Sequence, residues 1–376
     1  MHIVSAKYLF DGNNLCENKA LLIDNNIVQQ VVDINNVDSS NCKYLGDGVI
    51  TPGFIDLQLN GCGGVLFNDD ISESTLETMY QTCLCFGTTS FLPTLITSEV
   101  NDIKKALTVI NSWMRQHGNL RGVVGIHLEG PFISKQKSGI HNEKCILEPT
   151  DELLEYIASF TKKFPIKMTI APEVFHMEQI KYLHNAGIIL SIGHSNASYQ
   201  VAKMGIDEGI TTATHIFNAM SGLTGRNPGV VGAVLNNNIY AGVIADLIHV
   251  DSANIELLHK IKGDKLYIVT DAVTPMGTDL IEFEFVGKRI FVDNGKCVDE
   301  NGVIGGANIS MNESVKNCIK RCDIDLKNAL KMAVSTPARL MKLTDKLVKI
   351  NGNPIDKLIY MDLDSFECKS LNQEFK

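Results

Sequence analysis

Two histidines, His194 and His215, each follow a short apolar run and stand among small polar residues. Residues 198–208, which lie between them, have the pattern of a short amphipathic helix, so the whole segment is typical of a strand-helix-strand unit. In a parallel sheet the two histidines would lie side by side, at the carboxyl ends of adjacent strands. Two imidazoles at such a position predict half of a metal site, and two core histidines are the alternative.

The rest of the chain supplies the elements that would position these histidines. From residue 49 onward, apolar strand patterns alternate with helical patterns, the latter at 73–86, 100–115, 152–164, 178–185 and 253–260. The eight strand candidates are residues 53–59, 89–94, 122–128, 166–171, 188–192, 211–216, 239–245 and 265–270. This succession predicts an α/β fold with a closed (β/α)8 TIM-type barrel, whose active site must lie at the carboxyl ends of the strands. An open doubly wound sheet is the alternative, but no Gly-x-Gly-x-x-Gly follows the first strand.

Both ends of the chain have a different texture, with short strands and turn residues. Residues 1–48 together with 345–376, where 347–350 and 357–360 are strand candidates, predict a small β-sandwich domain built from both termini. The barrel would then comprise residues 49–344. Residues 282–298 have the pattern of a β-hairpin, which is expected to project from the barrel.

Composition limits the possible functions. The chain has 376 residues with 44% hydrophobic and 20% charged, and its net charge of −9 argues against nucleic-acid binding. It contains no uninterrupted apolar run of bilayer length and no signal-peptide pattern at its start, so a cytoplasmic protein without a membrane partner is expected. The ten cysteines lack a regular framework and are expected to be reduced, and Cys62, in a glycine-rich turn, is expected to be structural.

Polar residues are concentrated where the predicted strands end. They are Gln58, Asn60, Thr94, His127, Glu129, Glu173, His194, His215, Asp246, His249 and Asp271. Glu129 with His194 and His215 gives one oxygen and two nitrogen ligands and leaves a position open, which is typical of catalytic rather than structural zinc.

The other strand-end residues allow more than one assignment. Asp271 could accept a proton from water or orient a neighbouring group. His127 is expected to pack beneath Glu129 or support it, whereas His141 and His249 lie in loops that can overhang the pocket.

Five motifs together identify a family. They are Pro-Gly-Phe-Ile-Asp-Leu-Gln-Leu-Asn-Gly at 52–61, His-Leu-Glu-Gly-Pro at 127–131, Gly-His-Ser-Asn-Ala at 193–197, Thr-His-Ile-Phe-Asn-Ala-Met at 214–220 and Val-Thr-Asp-Ala at 269–272. In this order, residues 45–343 closely resemble the N-acetylglucosamine-6-phosphate deacetylase family of the amidohydrolase superfamily. The resemblance implies hydrolysis of N-acetyl-D-glucosamine 6-phosphate to D-glucosamine 6-phosphate and acetate, in amino-sugar catabolism and recycling.

The resemblance also implies roles for individual residues. Glu129, His194 and His215 would hold one divalent metal ion per subunit, with zinc expected, and Asp271 would be the general base and then the general acid. His141 would contact the substrate carbonyl and the sugar. Asn218 and Ala219 would bind substrate, and His249 with Arg226 would bind the sugar phosphate. The family is homodimeric, and Arg226 would come from the neighbouring subunit.

Two departures from the superfamily pattern matter. Many amidohydrolases carry His-x-His on the first strand and bind two metals, whereas this chain has Gln58-Leu59-Asn60, which predicts one tightly held ion and leaves a weak second ion open. The tail also lacks the usual Gly-x-x-Ala-Asp-Leu strand entry. Another single-metal amidohydrolase and a catalytically silent barrel are the alternative functions, and the intact metal and acid-base residues argue against a silent barrel.

Overall fold

The fold is built on eight parallel strands that follow one another around a barrel, as seen in a computed structural model that describes residues 2–118 and 121–372. The barrel strands are β1 (Phe54–Leu59), β2 (Thr88–Ile96), β3 (Ile126–Glu129), β4 (Ile166–Ile170), β5 (Ile189–Ile192), β6 (Ile210–Ala213), β7 (Tyr240–Ile244) and β8 (Leu266–Val269). Neighbours pair in sequence order from β1 to β8. Apolar residues on both faces of these strands are buried, as expected when helices cover a parallel sheet.

The barrel closes where the chain leaves β8 and returns beside β1. The Asp271 amide donates to the Gln58 carbonyl at 2.9 Å, and the Asn60 and Gly61 amides donate to the Ala272 carbonyl at 2.9 and 3.0 Å. The predicted barrel is therefore confirmed, and the open sheet is excluded. The predicted third strand is interrupted, because Gly122–Val123 and β3 are separate strands.

The helices lie outside the barrel, and several of them begin at a polar cap. The side chain of Ser198, for example, accepts from the Val201 amide at 3.3 Å and starts the helix that links β5 to β6. The predicted helix at 152–164 ends at Ala158, and the helix Gly229–Asn236 was not predicted because its residues are almost uniformly apolar. The helices are Glu73–Cys85, Val100–His117, Asp151–Ala158, Met177–Asn185, Tyr199–Glu208, Gly229–Asn236, Ser252–Lys262, Met311–Arg321, Leu326–Leu330, Thr336–Leu340 and Thr344–Leu347, with a π-helical turn at Lys331–Ser335.

A β-rich domain is formed by strands from both ends of the chain. One sheet contains His2–Ser5, Lys19–Asp24, Ile27–Asp33 and Cys42–Tyr44, and the other contains Tyr8–Phe10, Leu15–Glu17, Gly48–Pro52, Leu358–Asp362 and Cys368–Ser370. The tail strand Leu358–Asp362 pairs antiparallel with Gly48–Pro52, which joins the two ends of the chain. Residues 1 and 373–376 of the predicted domain lie outside the described residues.

One element of this domain was predicted wrongly, and the boundaries of the domain are still a prediction. Residues 347–350 do not form a strand, because Thr344–Leu347 is helical and the Leu347 amide donates to the Leu343 carbonyl at 3.0 Å. The division into 1–48 with 345–376 and 49–344 remains our proposal.

The predicted hairpin is part of a four-stranded antiparallel sheet, which we call the rim sheet: Glu282–Phe285, Lys288–Asp293, Lys296–Asp299 and Ile304–Ala307. The expectation that it projects from the barrel is wrong. Its last strand is bonded to the chain after β8, since the Ala307 amide donates to the Asp271 carbonyl at 3.0 Å. Phe285 and Ile290 also pack on Ile140 in a separate hydrophobic cluster. The rim sheet therefore lies at the carboxyl end of the barrel.

Among the described residues, no helix is long and apolar enough to cross a membrane. All ten cysteines are free thiols, which agrees with the expected absence of disulfides.

Two buried charged residues lie in the barrel interior below the strand ends. Burial lowers the pKa of Lys167 to about 8, and burial raises the pKa of Asp56 to about 7. Asp56 accepts from the Gln58 amide at 3.1 Å and from the Thr270 amide at 3.3 Å, and the Thr270 hydroxyl donates to its other oxygen. These bonds hold β1 against β8.

We expect Asp56→Asn to remove a pH dependence of stability. The ordinary pKa of an aspartate, 3.8, applies to the unfolded chain, whereas Asp56 has a pKa of about 7 in the folded chain. Between these two pH values the folded chain retains a proton that the unfolded chain has released, so raising the pH favours unfolding of the wild type. The free energy of unfolding of the variant minus that of the wild type should therefore rise by about 3 kcal/mol from pH 5 to pH 8, as measured by urea unfolding. A constant difference at both pH values would contradict the raised pKa of Asp56.

Candidate metal centre and active site

Three ligand atoms converge at the carboxyl ends of β3, β5 and β6. His194 Nε2 and His215 Nε2 lie 3.1 and 2.9 Å from the same oxygen of Glu129, and 3.1 Å from each other. Three ligands that each lie about 2.0–2.1 Å from one tetrahedral zinc ion would be about 3.3 Å apart. The buried Glu-His-His group therefore has the spacing of a site that could hold a metal ion, as the sequence predicted.

The protonation of His194 supports this interpretation. Its Nδ1 lies 2.8 Å from the Lys137 carbonyl, which can only accept, so Nδ1 carries a proton and Nε2 is the ring nitrogen that faces Glu129. Lone pairs of two histidines and a carboxylate facing each other at such distances repel unless a cation or a proton lies between them. Outer hydrogen bonds of this kind fix the orientation of metal-binding imidazoles.

The charges of the cluster respond to the same contacts. Burial alone would raise the pKa of Glu129, but the hydrogen bonds and charges of His194 and His215 hold it well below its usual value. Burial opposes charge on His215, yet the carboxylate of Glu129 raises the pKa of this histidine. Glu129 is therefore ionised at neutral pH and available as an anionic ligand.

The backbone turns sharply at the functional residues. His194, His215 and Asp271 have positive φ angles of 47°, 29° and 53°, a region that residues other than glycine rarely adopt. This conformation ends β6 at Ala213 rather than at Ile216 as the strand pattern predicted, and it turns His215 into the cavity. Strained backbone of this kind is common at active sites.

Asp271 faces the Glu-His-His cluster and is held by two amide side chains. Gln58 Nε2 lies 3.0 Å from Asp271 Oδ1 and 3.0–3.1 Å from both oxygens of Glu129, and Asn60 Nδ2 donates to Asp271 Oδ1 at 2.7 Å. Burial, followed by the negative charge of Glu129, raises the pKa of Asp271. A carboxylate whose pKa is raised toward neutrality is suited to exchange protons.

His141 borders the same point from the loop after β3. The ligand atoms of Glu129, His141 and His194 lie within 4.8 Å of one another, which is looser than the cluster with His215. Its Nδ1 lies 2.8 Å from the Thr97 hydroxyl, and burial lowers its pKa well below the usual value, so the ring is neutral. When the hydroxyl donates to Nδ1, the remaining proton is on Nε2, where it can be donated to a carbonyl oxygen.

His127, two residues before Glu129, is not part of the cluster. Its ring nitrogens lie 3.2 Å from the Thr94 hydroxyl and 2.7 Å from the Thr169 hydroxyl, and Lys167 Nζ is 3.5 Å away. Burial and then the charge of Lys167 lower the pKa of His127 well below its usual value. This histidine fills the barrel interior beneath Glu129, as expected.

The predicted sugar-binding residues line the same cavity, with one exception. The cavity of about 340 Å³ is bordered by His249, Asn218 and Ala219 as well as by the metal cluster, His141 and Asp271. His249 Nδ1 lies 2.6 Å from Asp246, and although burial opposes it, this hydrogen bond lowers the pKa of Asp246. Arg226 is in the exposed segment 222–227 and is not among the described residues that line the cavity of its own subunit.

Several lining residues were missed by sequence reasoning. Gln136, Lys137, Gly139 and Ile140 border the cavity from the loop after β3, Ile96 from the end of β2, and Phe285, Ile304 and Gly306 from the rim sheet. Glu173 was among the predicted strand-end residues, and it lies behind the turn that follows His194. It accepts from the Ser195 hydroxyl and the Asn196 amide, both at 2.6 Å. These contacts fix the turn that follows His194.

The chain combines a parallel eight-stranded barrel with a Glu-His-His cluster and a facing aspartate at the strand ends. This combination is typical of hydrolases with a (β/α)8 barrel. Residues 49–353 match the model of the amidohydrolase family, and the chain belongs to that family. The resemblance predicted from the five motifs is confirmed.

Characterised relatives are similar along nearly the whole chain. An N-acetylglucosamine-6-phosphate deacetylase of Haemophilus influenzae is 42% identical, with 90% of this chain and 89% of that protein covered. An N-acetylgalactosamine-6-phosphate deacetylase of a Shewanella species is 34% identical, with coverage of 90% and 86%. The crystal structure of the N-acetylglucosamine-6-phosphate deacetylase from Pasteurella multocida superposes with a TM-score of 0.92 at 41% identity, covering 98% of this chain and 96% of that one.

Proposed function

We propose that this protein hydrolyses the acetamide of N-acetyl-D-glucosamine 6-phosphate to D-glucosamine 6-phosphate and acetate, in amino-sugar catabolism and recycling. The observation that carries the proposal is the convergence of Glu129, His194 and His215 opposite Asp271, in one cavity that His249 also lines. The Haemophilus and Pasteurella relatives support the choice of substrate.

The residues divide the reaction between them. Water adds to the amide carbon and the C–N bond breaks, so one proton must leave the water and one must reach the departing nitrogen. Asp271 takes the first proton and returns it to the amine, because its raised pKa allows both directions. His141 donates to the carbonyl oxygen as negative charge develops there.

We further propose that Glu129, His194 and His215 hold one zinc ion per subunit. Such an ion supplies Lewis-acid polarisation of the carbonyl and lowers the pKa of water. A single ion is supported by Gln58 and Asn60, whose amide nitrogens donate to Glu129 and Asp271 where other family members have histidine ligands.

The phosphate would be bound by His249 and by Arg226 of a second subunit in a homodimer, in the cytoplasm. The exposure of Arg226 outside its own cavity supports donation across an interface. Arginine offers bidentate contacts to phosphate, which the negatively charged chain needs locally.

Arg226→Ala is expected to weaken use of the 6-phosphate sugar by about 2 to 5 kcal/mol in kcat/KM and to affect the unphosphorylated sugar far less. Steady-state kinetics on both sugars would measure this. Mixing the variant with a Glu129→Gln subunit tests donation, since each hybrid dimer then has one complete site and regains activity. Equal losses on both sugars would remove the phosphate assignment.

The direct test of the proposed function is acetate release from N-acetylglucosamine 6-phosphate, with and without a chelator. Because the Shewanella relative is an N-acetylgalactosamine-6-phosphate deacetylase, this 4-epimer should be tested as a second substrate. We expect the glucosamine form to be the better substrate. Absence of acetate with either sugar would reject the proposal in favour of another amidohydrolase reaction.

A further inference from the structure

The cavity has one apolar side, which we call the apolar wall: Ile96, Ile140, Phe285 and Ile304. Three of its members, Ile96, Ile140 and Phe285, belong to the hydrophobic cluster that fastens the rim sheet to the barrel. Phe285 is only 1% exposed although it borders the cavity, so its ring is held by packing. The part of the wall formed by Ile96, Ile140 and Phe285 is therefore held in place by packing.

The apolar wall lies next to the groups that would perform the reaction. Ile140 directly precedes His141, and Ile96 pairs with Glu129 in the register of β2 and β3. The strand that carries Ile304 is tied to the chain at Asp271, because the Ala307 amide donates to the Asp271 carbonyl at 3.0 Å. The wall and the reacting groups consequently surround one end of the cavity.

Two glycines bring the rim sheet close to this end. A Cβ on Gly305 would lie 3.2 Å from Ile140, and a Cβ on Gly306, whose φ is +75°, would lie 2.4 Å from Val273 and 3.1 Å from the Asp271 carbonyl. At Gly306 only glycine allows this close approach, whereas at Gly305 a Cβ would crowd Ile140. The strand Ile304–Ala307 cannot move away from the barrel without losing its hydrogen bonds to the segment at Asp271. Little space therefore remains behind the apolar wall.

The chemistry of an amide determines which part of the substrate meets this wall. The carbonyl oxygen is directed to His141 and the metal-binding cluster, and the nitrogen must be reached by Asp271. The sugar hydroxyls and phosphate suit the polar lining, which includes Lys137, Asn218 and His249. The remaining substituent of the carbonyl carbon is the alkyl part of the acyl group, a methyl in the acetyl case, which is apolar.

We propose that the apolar wall binds the methyl group of the acetyl substituent and that Phe285 and Ile304 set the length of acyl chain the enzyme accepts. This inference rests on the proposed function. One additional methylene that must displace packed side chains is discriminated by about 10- to 200-fold in such pockets. The wild type should therefore use N-acetylglucosamine 6-phosphate much better than its N-propionyl and N-butyryl analogues.

The test compares kcat/KM for these three substrates in wild type, Phe285→Ala and Ile304→Ala. In each variant we expect the ratio of N-butyryl to N-acetyl turnover to rise at least tenfold. Ile304 is 37% exposed, so its truncation is tolerated even if loss of the Phe285 ring unfolds the rim sheet. Phe291→Ala is the matched control: Phe291 lies in the rim sheet on the face opposite Phe285, and its ratio should not change.

The outcomes separate this inference from the proposed function. If all three substrates lose activity by the same factor in both wall variants, the wall does not bind the acyl group, although the wild type remains a deacetylase. If the wild type hydrolyses N-butyryl and N-acetyl sugars equally well, the wall does not select chain length. If the wild type releases no acid from any of the three, the proposed function itself fails.

Discussion

Replacing Asp271 by asparagine should lower kcat for acetate release by about 10²- to 10⁴-fold, the usual contribution of a general acid-base group. Asparagine retains the size of the side chain and can still bond to Gln58 and Asn60, so the surrounding contacts survive. What it loses is the ability to take up a proton and return it to the amine. Metal content measured by elemental analysis should equal that of wild type.

Asp56→Asn provides the control for this experiment. It is the same chemical change at another buried carboxylate, which bonds to Thr270, the neighbour of Asp271, but does not border the cavity. We expect this variant to retain most of its activity. If Asp271→Asn is as active as Asp56→Asn, the proton-transfer role of Asp271 is wrong and an orienting role replaces it.

The convergence of the Glu-His-His cluster could be predicted from sequence because a parallel barrel brings the ends of its strands to one edge. Glu129, His194 and His215 are separated by up to 86 residues, yet each follows an apolar run, and that regularity was enough to bring them together. Local patterns did not reveal where β6 ends, since the turn at His215 depends on a positive φ angle that tertiary contacts impose.

The parts of the site that sequence did not reveal depend on contacts between distant segments. The rim sheet has the alternation of an ordinary hairpin, and its position over the cavity follows from Phe285 and Ile290 packing on Ile140. The role of Gln58 was also hidden, because an amide near the end of a strand suggests a weak ligand, whereas here it bonds to two carboxylates. No periodicity encodes such a pairing.

The buried charges beneath the site explain why the carboxylates can lie so close together. Glu129, Asp271 and Asp56 would repel one another in a medium of low polarity, and all three favour the charged form of Lys167, although burial lowers the pKa of that lysine to about 8. A cation among the ligands would add to this compensation. The negative charge of the barrel interior is thus compensated by Lys167 below the site, and a cation in the ligand cluster above it would compensate it further.

Loss of one ligand should therefore release the metal ion while sparing the fold. We expect His215→Ala to weaken metal affinity by roughly 100-fold or more, because changes to residues that merely orient ligands already cost about 10- to 100-fold. Chelator competition followed by elemental analysis measures this directly, independently of turnover. Acetate release should fall in parallel.

His127→Ala is the matched control, since it removes an equally buried imidazole two residues before Glu129. Its ring nitrogens contact only the Thr94 and Thr169 hydroxyls and the Lys167 amine among the described residues, and none of these groups belongs to the Glu-His-His cluster. This variant should lose stability because of the cavity it creates, but it should bind metal as wild type does. If the two variants lose metal equally, packing of the barrel interior, and not ligation by His215, holds the ion.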